Sequence, residues 1–221
     1  MEPFRVWQDV CMVGSAELSH PYDCCVYLLD AGDLVLIDCG AGRSFQKLVS
    51  NIESLGFKHG RIKTVIVTHA HVDHIGALHR FQEHGAKIIA HELDADAIEY
   101  GGGTGATAYS VHYIPCHVDI RIKGPEQSFR FPKWELRAIH IQGHTPGSIA
   151  VYVDMAGRRV LFGQDVHGPY LPQWGGDPTQ AKLSLQRLID LKADILCEGH
   201  FGIYQPAAAV EEYIREYLDN L

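Results

Sequence analysis

One segment, T-H-A-H-V-D-H at residues 68–74, constrains this chain more than any other part of it. It follows an apolar run at 62–67 that predicts a buried strand. Neutral imidazoles and carboxylates are the ligands that borderline divalent metals such as zinc prefer. In an extended segment the side chains of His69, His71 and Asp73 would project to one side, because side chains alternate along a strand. The segment therefore predicts a metal site at the end of a strand.

The last histidine of this segment, His74, is predicted to lie at the start of a helix. Ile75, Leu78 and Phe81 follow it at helical spacing. The positive end of the helix dipole disfavours an imidazolium ion at such a position. We therefore expect His74 to be a neutral ring that can bind a metal.

The composition is that of an ordinary folded domain and excludes several classes of function. Of the 221 residues, 46% are hydrophobic and 21% are charged. The formal net charge of -8 argues against broad nucleic-acid binding, because phosphate contacts need clustered lysine and arginine. No apolar stretch approaches the ~18 residues of a membrane span, and the first residues do not resemble a signal peptide. We expect a single domain over residues 1–221 that is cytoplasmic, has no membrane segment and does not bind nucleic acid.

Strand and helix patterns alternate along the chain without a linker or a repeat. Helices are predicted at 45–55, 74–84, 91–100 and 179–191 and after Pro206. Strands are predicted at 25–29, 34–37, 62–67, 87–90, 110–122, 134–141, 148–154, 158–163 and 194–197. The second half is too rich in hairpins for a simple doubly wound sheet, so the order favours two mixed sheets with helices outside.

Five motifs in order resemble those of the metallo-β-lactamase superfamily. The segment at 68–74 matches the HxHxDH motif of that superfamily, and the others are V-L-I-D-C-G at 35–40, G-H-T-P-G-S at 143–148, F-G-Q-D at 162–165 and E-G-H at 198–200. The resemblance covers about residues 24–200. It implies an α+β fold, the four-layer αββα sandwich, with a metal site at one edge between the two sheets.

The resemblance also implies two divalent metal ions, with zinc as the expected metal and iron or manganese as alternatives. The residues implied as ligands of the first ion are His69, His71 and His144, those of the second are Asp73, His74 and His200, and Asp165 would bridge the two. Seven ligands are too many for one tetrahedral ion, and they suit two ions that share a carboxylate and a water. A bridging hydroxide would then be the nucleophile. Asp73 or Asp165 would relay the proton, and Asp38 would support the ligands from behind.

The loop at 167–176, rich in aromatic residues, glycine and proline, directly follows Asp165. We expect His167, Tyr170 and Trp174 to line a substrate pocket there, since loops on a rigid scaffold commonly carry recognition. Tyr109 and the glycines at 101–105 would contribute from the other side. A plain surface loop, with Trp174 packed on the fold, is an equally good interpretation.

The chain is similar to short glyoxalase II-like and lactonase-like hydrolases. Only 21 residues follow His200, which leaves no room for the helical domain with which glyoxalase II binds a glutathione thioester. We expect hydrolysis of an ester-like bond, a thioester or a lactone, in a small-molecule substrate. The alternatives are an oxidoreductase like the mononuclear iron persulfide dioxygenases, a phosphodiesterase on the same scaffold, and a metal-binding domain without activity. The sequence leaves the oligomeric state open and is compatible with a homodimer.

Overall fold

The strands of this protein form a seven-stranded sheet and a six-stranded sheet in a computed structural model that describes residues 1–221. In spatial order, the first sheet consists of β1 (Phe4–Trp7), β2 (Val10–Gly14), β3 (Val26–Asp30), β4 (Leu34–Ile37), β5 (Ile62–Ile66), β6 (Lys87–His91) and β7 (Ile120–Ile122). The second sheet consists of β13 (Ile203–Tyr204), β12 (Ile195–Glu198), β11 (Arg158–Gly163), β10 (Ile149–Met155), β9 (Glu135–His140) and β8 (Glu126–Arg130). The helices are α1 (Phe45–Ser54), α2 (Val72–Ile75), α3 (Leu78–Glu83), α4 (Glu92–Tyr100), α5 (Pro178–Asp190) and α6 (Ala207–Asp219), with short 3-10 turns at His59–Arg61 and Pro172–Trp174.

Three hydrophobic clusters hold these elements in four layers. A cluster of 26 buried residues packs α1, α3 and α4 on the outer face of the first sheet. Another of 22 buried residues fills the space between the two sheets, and a third of 13 packs the second sheet on α5 and α6. Along β3 the side chains alternate between the first two clusters, which is why both faces of this strand are apolar. The predicted αββα sandwich is confirmed.

Parallel strands bring the ends of distant segments to one edge of each sheet. In the first sheet β4, β5 and β6 are parallel neighbours, so the residues after β4 and after β5 leave the sheet side by side. In the second sheet β11 and β12 are parallel, and Gly163 pairs with Glu198. The residues that follow β11 and β12 therefore also emerge together, and this edge carries the candidate site.

The predicted strand at 110–122 is wrong for most of its length, since only Ile120–Ile122 joins a sheet. Pro115 cannot donate a ladder hydrogen bond, and Tyr113 instead packs on the helical layer and donates from its hydroxyl to the Ile98 carbonyl. The edge strands β1 and β8 and the strand β2 were not predicted. In β8, exposed residues alternate with half-buried ones, so its apolar signal is weak.

The helix predicted over 74–84 is divided into α2 and α3 at Gly76-Ala77. A Cβ on Gly76 would overlap the backbone of Ala41, so this close approach requires a glycine. None of the helices is long and apolar enough to cross a bilayer.

Candidate metal centre and active-site cavity

The segment at 68–74 reaches the site by a different local structure from the one predicted. β5 ends at Ile66 and α2 begins at Val72, so Asp73 lies in a helix and the extended register expected for His69, His71 and Asp73 is wrong. His74 lies in the same helical turn, as predicted. The turn brings the imidazole and carboxyl groups to the same edge although they do not share one face of a strand.

Three histidines and one aspartate form the first cluster, which we call the three-histidine site: His69, His71, His144 and Asp165. Their nearest nitrogen and oxygen atoms all lie within 4.8 Å of one another. His71 Nδ1 lies 3.1 Å from His69 Nε2 and 2.8 Å from His144 Nε2. Asp165 Oδ2 lies 3.2 Å from His144 Nε2 and 3.6 Å from His69 Nε2.

The second cluster, which we call the mixed site, consists of Asp73, His74 and His200 and also meets Asp165. Asp73 Oδ2 lies 3.6 Å from His74 Nε2 and 3.3 Å from His200 Nε2. The other oxygen of Asp165, Oδ1, lies 3.3 Å from His74 Nε2 and 3.4 Å from His200 Nε2. The carboxylate of Asp165 therefore stands between the two clusters and turns one oxygen towards each.

The donor atoms of both clusters suit a divalent metal ion. His74 Nε2 and Asp165 Oδ1 are buried and have no hydrogen-bond partner in the protein. Buried polar atoms are rarely left without a partner, because the desolvation of each costs about 1–3 kcal/mol. A cation among imidazole nitrogens and carboxylate oxygens would satisfy both atoms, and this set of donors is the one that zinc prefers.

Two of the ring nitrogens are directed at the site by hydrogen bonds on the opposite side of the ring. His74 Nδ1 lies 2.8 Å from Asp38 Oδ2, and His144 Nδ1 lies 3.0 Å from the Pro169 carbonyl oxygen. Both of these oxygens can only accept, so each Nδ1 carries the proton and donates. The Nε2 lone pair of each ring is then free and faces Asp165, which fixes the tautomer that metal binding needs.

The protonation states differ between the two clusters. Burial and the neighbouring His74 hold the pKa of His69 well below its usual range, and burial with His144 lowers the pKa of His71 to about 4. Both rings are therefore neutral near pH 7 and keep a lone pair for a metal. Burial lowers the pKa of His74, but the surrounding groups Cys24, Asp165 and Asp73 outweigh burial and raise that pKa. A metal ion at Nε2 would displace the proton, so the neutral ring predicted for His74 is the form expected with a metal bound.

Asp38 supports the mixed site from behind, in the position the resemblance implies. It is fully buried in the left-handed region, with φ of 59°. Besides facing His74, it accepts hydrogen bonds from the Thr68 backbone amide at 2.8 Å and from Thr68 Oγ1 at 2.6 Å. Strained backbone of this kind persists where surrounding contacts determine it, often at functional sites.

Replacing Asp38 with asparagine is expected to weaken metal binding at the mixed site about 10- to 100-fold, as is typical when a partner of a ligating histidine is lost. Asparagine has one oxygen, so if that oxygen accepts from His74 Nδ1 and Thr68 Oγ1, the amide nitrogen is set against the backbone N–H of Thr68. Zinc affinity measured by competition with a chromophoric chelator tests this. Asp33→Asn, an exposed aspartate just before β4, is the matched control. Equal affinities of the two variants would contradict the role of Asp38.

Two buried acids near the site were not assigned a role from the sequence. Glu198, fully buried at the end of β12, accepts from the backbone amides of His200 at 2.7 Å and Phe201 at 2.9 Å, and its other oxygen lies 2.8 Å from His167 Nδ1. It therefore fixes the loop that carries His200. The sequence offers one indication of this role of Glu198, which is that a charged residue ends an apolar strand. The other acid is Asp94, in the first turn of α4.

A cavity of about 790 Å³ opens directly over both clusters. His167 and Trp174 line it as predicted, together with Tyr109, Gly103 and Gly105 on the opposite side. The prediction that Tyr170 lines the pocket is wrong. Its hydroxyl donates to the Val166 carbonyl, and its ring packs on the cluster between the second sheet and the outer helices, because the chain turns inward after His167.

Apolar side chains stand at the rim of this cavity, and its floor is formed by histidines and aspartates. Leu93, Trp174 and Phe201 stand at the rim and remain 54%, 51% and 59% exposed. The Trp174 ring centroid lies 6.1 Å from that of His71. Asp73, Asp94 and Asp165 are the acids among the lining residues, and no lysine or arginine lines the cavity.

Sequence comparisons identify a protein family and individual relatives that this chain resembles. A sequence model of the metallo-beta-lactamase superfamily matches residues 21–200. Ribonuclease TTHA0252 of Thermus thermophilus is 28% identical over 99% of this chain, which spans 47% of the length of that ribonuclease. The probable metallo-hydrolase YflN of Bacillus subtilis is 27% identical over 75% of this chain and 74% of its own length.

A solved structure shares the whole architecture. A metallo-beta-lactamase of Cronobacter sakazakii, in a form mutated in its HARLDQ motif, matches with a TM-score of 0.83 at 23% identity and covers 100% of this chain and 95% of its own. A likeness at this level of identity concerns the fold, and the chemistry of this chain has to be argued from its own residues.

Proposed function

The chain belongs to the metallo-β-lactamase superfamily, and we propose that it is a metal-dependent hydrolase that binds two divalent ions and cleaves an ester-like bond in a small, largely apolar molecule. Zinc is the proposed metal, and a thioester or a lactone is the proposed substrate. The observation that carries the substrate class is a cavity over the site whose lining holds no lysine or arginine.

Two ions, rather than one, are supported by the position of Asp165. One of its oxygens faces the three-histidine site and the other faces the mixed site. A single iron at the three-histidine site, as in the dioxygenase alternative, would leave His74 Nε2 of the mixed site buried without a partner. The two clusters together therefore favour the hydrolase over the oxidoreductase.

The residues of the site have distinct parts in the proposed reaction. Bound at the two clusters, divalent ions would lower the pKa of a shared water and stabilise the negative charge that develops on the substrate. Burial raises the pKa of Asp165, but the charge of His74 and the contact with His200 outweigh burial and hold that pKa well below its usual range, so Asp165 is a carboxylate at neutral pH. Asp165 and Asp73 both line the cavity and can take the proton of the attacking water and return it to the leaving group.

Tyr109 offers a hydrogen-bond donor on the cavity wall. Burial, together with the charge of Asp73, raises the pKa of Tyr109 to about 12. Its hydroxyl therefore remains protonated at neutral pH and can donate to an oxygen of the substrate.

The electrostatics of the cavity separate the proposed substrate from a phosphodiester. Recognition of phosphate groups uses arginine or lysine, which pair with the anionic oxygens. The cavity presents aspartates and apolar side chains instead, and the whole chain carries a net charge of -8. Two bound divalent ions would offset the charge of these aspartates, but the cavity wall around them offers no lysine or arginine to further anionic groups of a substrate, which favours an uncharged ester, thioester or lactone.

A substrate panel on protein of measured metal content tests the proposal. Neutral thioesters and lactones are compared with β-lactams and with anionic phosphodiesters. Each substrate is assayed at the same concentration on zinc-loaded protein. We expect the highest kcat/KM for a thioester or a lactone at two zinc ions per chain. Faster cleavage of phosphodiesters would overturn the substrate class, and a single iron with oxygen uptake on a persulfide would overturn the hydrolase.

Replacing Trp174 with alanine is expected to raise the KM of the best apolar substrate about tenfold, which corresponds to about 1.4 kcal/mol of lost apolar contact. The kcat is expected to change little, because Trp174 contacts the substrate away from the reacting atoms. Leu183→Ala is the matched control, since Leu183 is 65% exposed on α5 and does not line the cavity. An unchanged KM for Trp174→Ala would remove Trp174 from the binding surface.

A further inference from the structure

We propose that Asp94 is a positioning residue that ties together the two loops carrying the three-histidine site. This inference rests on the proposed metal binding and assigns a different supporting aspartate to each of the two sites. Asp94 serves the three-histidine site, and Asp38 serves the mixed site.

Each oxygen of Asp94 accepts from a loop that carries ligands. Oδ2 accepts from the backbone amide of Ala70 at 2.9 Å, and Ala70 lies between His69 and His71. The same oxygen accepts from Thr145 Oγ1 at 2.7 Å, and Oδ1 accepts from the Gly147 amide at 2.8 Å. One carboxylate therefore holds both the loop after β5 and the loop after β9, which carries His144.

The surroundings of Asp94 show that this arrangement is tightly built. The residue is 4% exposed, so an anionic carboxylate there needs all of its hydrogen bonds. A Cβ on Gly147 would approach Asp94 Cγ to 2.6 Å, which means that only glycine lets this backbone come so close. The two loops therefore approach each other closely at Asp94.

A carboxylate is required here, and an amide would not replace it. Oδ2 accepts two hydrogen bonds and Oδ1 accepts a third. Asparagine has one oxygen, and its amide nitrogen only donates, so either orientation sets a donor against a donor. Asp94→Asn therefore keeps the shape of the side chain, but its single oxygen can serve either Ala70 and Thr145 or Gly147, and its NH2 group is set against the donor that remains.

None of the hydrogen bonds of Asp94 reaches Asp73, His74 or His200. Asp38, in contrast, contacts His74 and the backbone at Thr68. Loss of Asp94 is therefore expected to act on one site and spare the other. A merely structural role would weaken both sites together.

The test measures zinc affinity in two backgrounds, each of which retains one site. His200→Ala leaves the three-histidine site, and His71→Ala leaves the mixed site. We expect Asp94→Asn to weaken zinc binding about 10- to 100-fold in the His200→Ala background and less than about twofold in the His71→Ala background. Thermal unfolding of the metal-free proteins, followed by circular dichroism, shows whether each variant is folded.

Matched variants define the outcomes. Asp96→Asn, an exposed aspartate on the same helix that pairs with Arg121 at 3.3 Å, is expected to change neither affinity. Thr145→Val removes one donor to Asp94, whereas Thr145→Ser retains the hydroxyl and is expected to restore binding. Asp94→Asn and Thr145→Val are expected to be non-additive, because both act on the same group of hydrogen bonds around residue 94.

Equal weakening in both backgrounds, or none in either, would overturn the role of Asp94. If the unmutated protein binds no zinc, iron or manganese, the proposed metal centre itself fails, and the panel of substrates reports that failure separately.

Discussion

Asp165→Asn is expected to lower kcat on the order of 10²–10³-fold, the range lost when one preorganised charge-stabilising group is removed from an active site. The asparagine amide has one oxygen, so it can face the three-histidine site or the mixed site but not both. The lost negative charge also raises the cost of holding two cations so close together. We expect one zinc ion per chain in place of two, measured by elemental analysis after dialysis, with kcat measured on the same samples.

Asp190→Asn separates the loss of an ion from a general effect of removing an aspartate. Asp190 is exposed at the end of α5 and accepts from Gln186 at 2.9 Å. This control is expected to keep both ions and full turnover. Two ions and an unchanged kcat in Asp165→Asn would show that the carboxylate does not bridge the clusters.

The convergence of the site could be anticipated from the sequence, because its residues follow predicted strands. Parallel pairing of β4 with β5 and of β11 with β12 carries the residues after those strands to one edge. The resemblance to a known superfamily predicted that the five motifs meet, whereas the strand pattern alone did not predict which strands are parallel neighbours. The local structure around Asp73 could not be predicted from the sequence, since Asp73 lies in a helix and not in an extended segment.

Asp38 was identified as a supporting residue through the resemblance, but Asp94 and Glu198 were missed because their roles depend on contacts that the local sequence does not show. Asp94 is followed by an ordinary helical pattern, and its hydrogen bond to Thr145 spans 51 positions. No local pattern distinguishes it from Asp96, which is exposed on the same helix. The error at Tyr170 has a similar origin, because the direction in which a loop side chain points is set by packing.

Gly199→Ala is expected to lower kcat/KM on the order of 10²-fold, since displacement of a catalytic group by about 1 Å can cost that much. A Cβ at this position would overlap Asp165 Oδ1 and would lie 2.6 Å from Gln164 Oε1. The site is packed so closely that the added methyl group must push the Asp165 carboxylate out of line with one of the clusters. Elemental analysis is expected to show fewer than two zinc ions per chain, while circular dichroism shows a folded protein.

The matched control for this methyl group is Gly60→Ala, because a Cβ at Gly60 meets nothing within 4 Å. It is expected to retain full activity and both ions. Adding Gln164→Ala to Gly199→Ala distinguishes the two neighbours of the new methyl group. The double variant is expected to stay impaired, because Asp165 remains displaced. Recovery of activity in the double variant would mean that the added methyl group acts by displacing the Gln164 side chain rather than the Asp165 carboxylate.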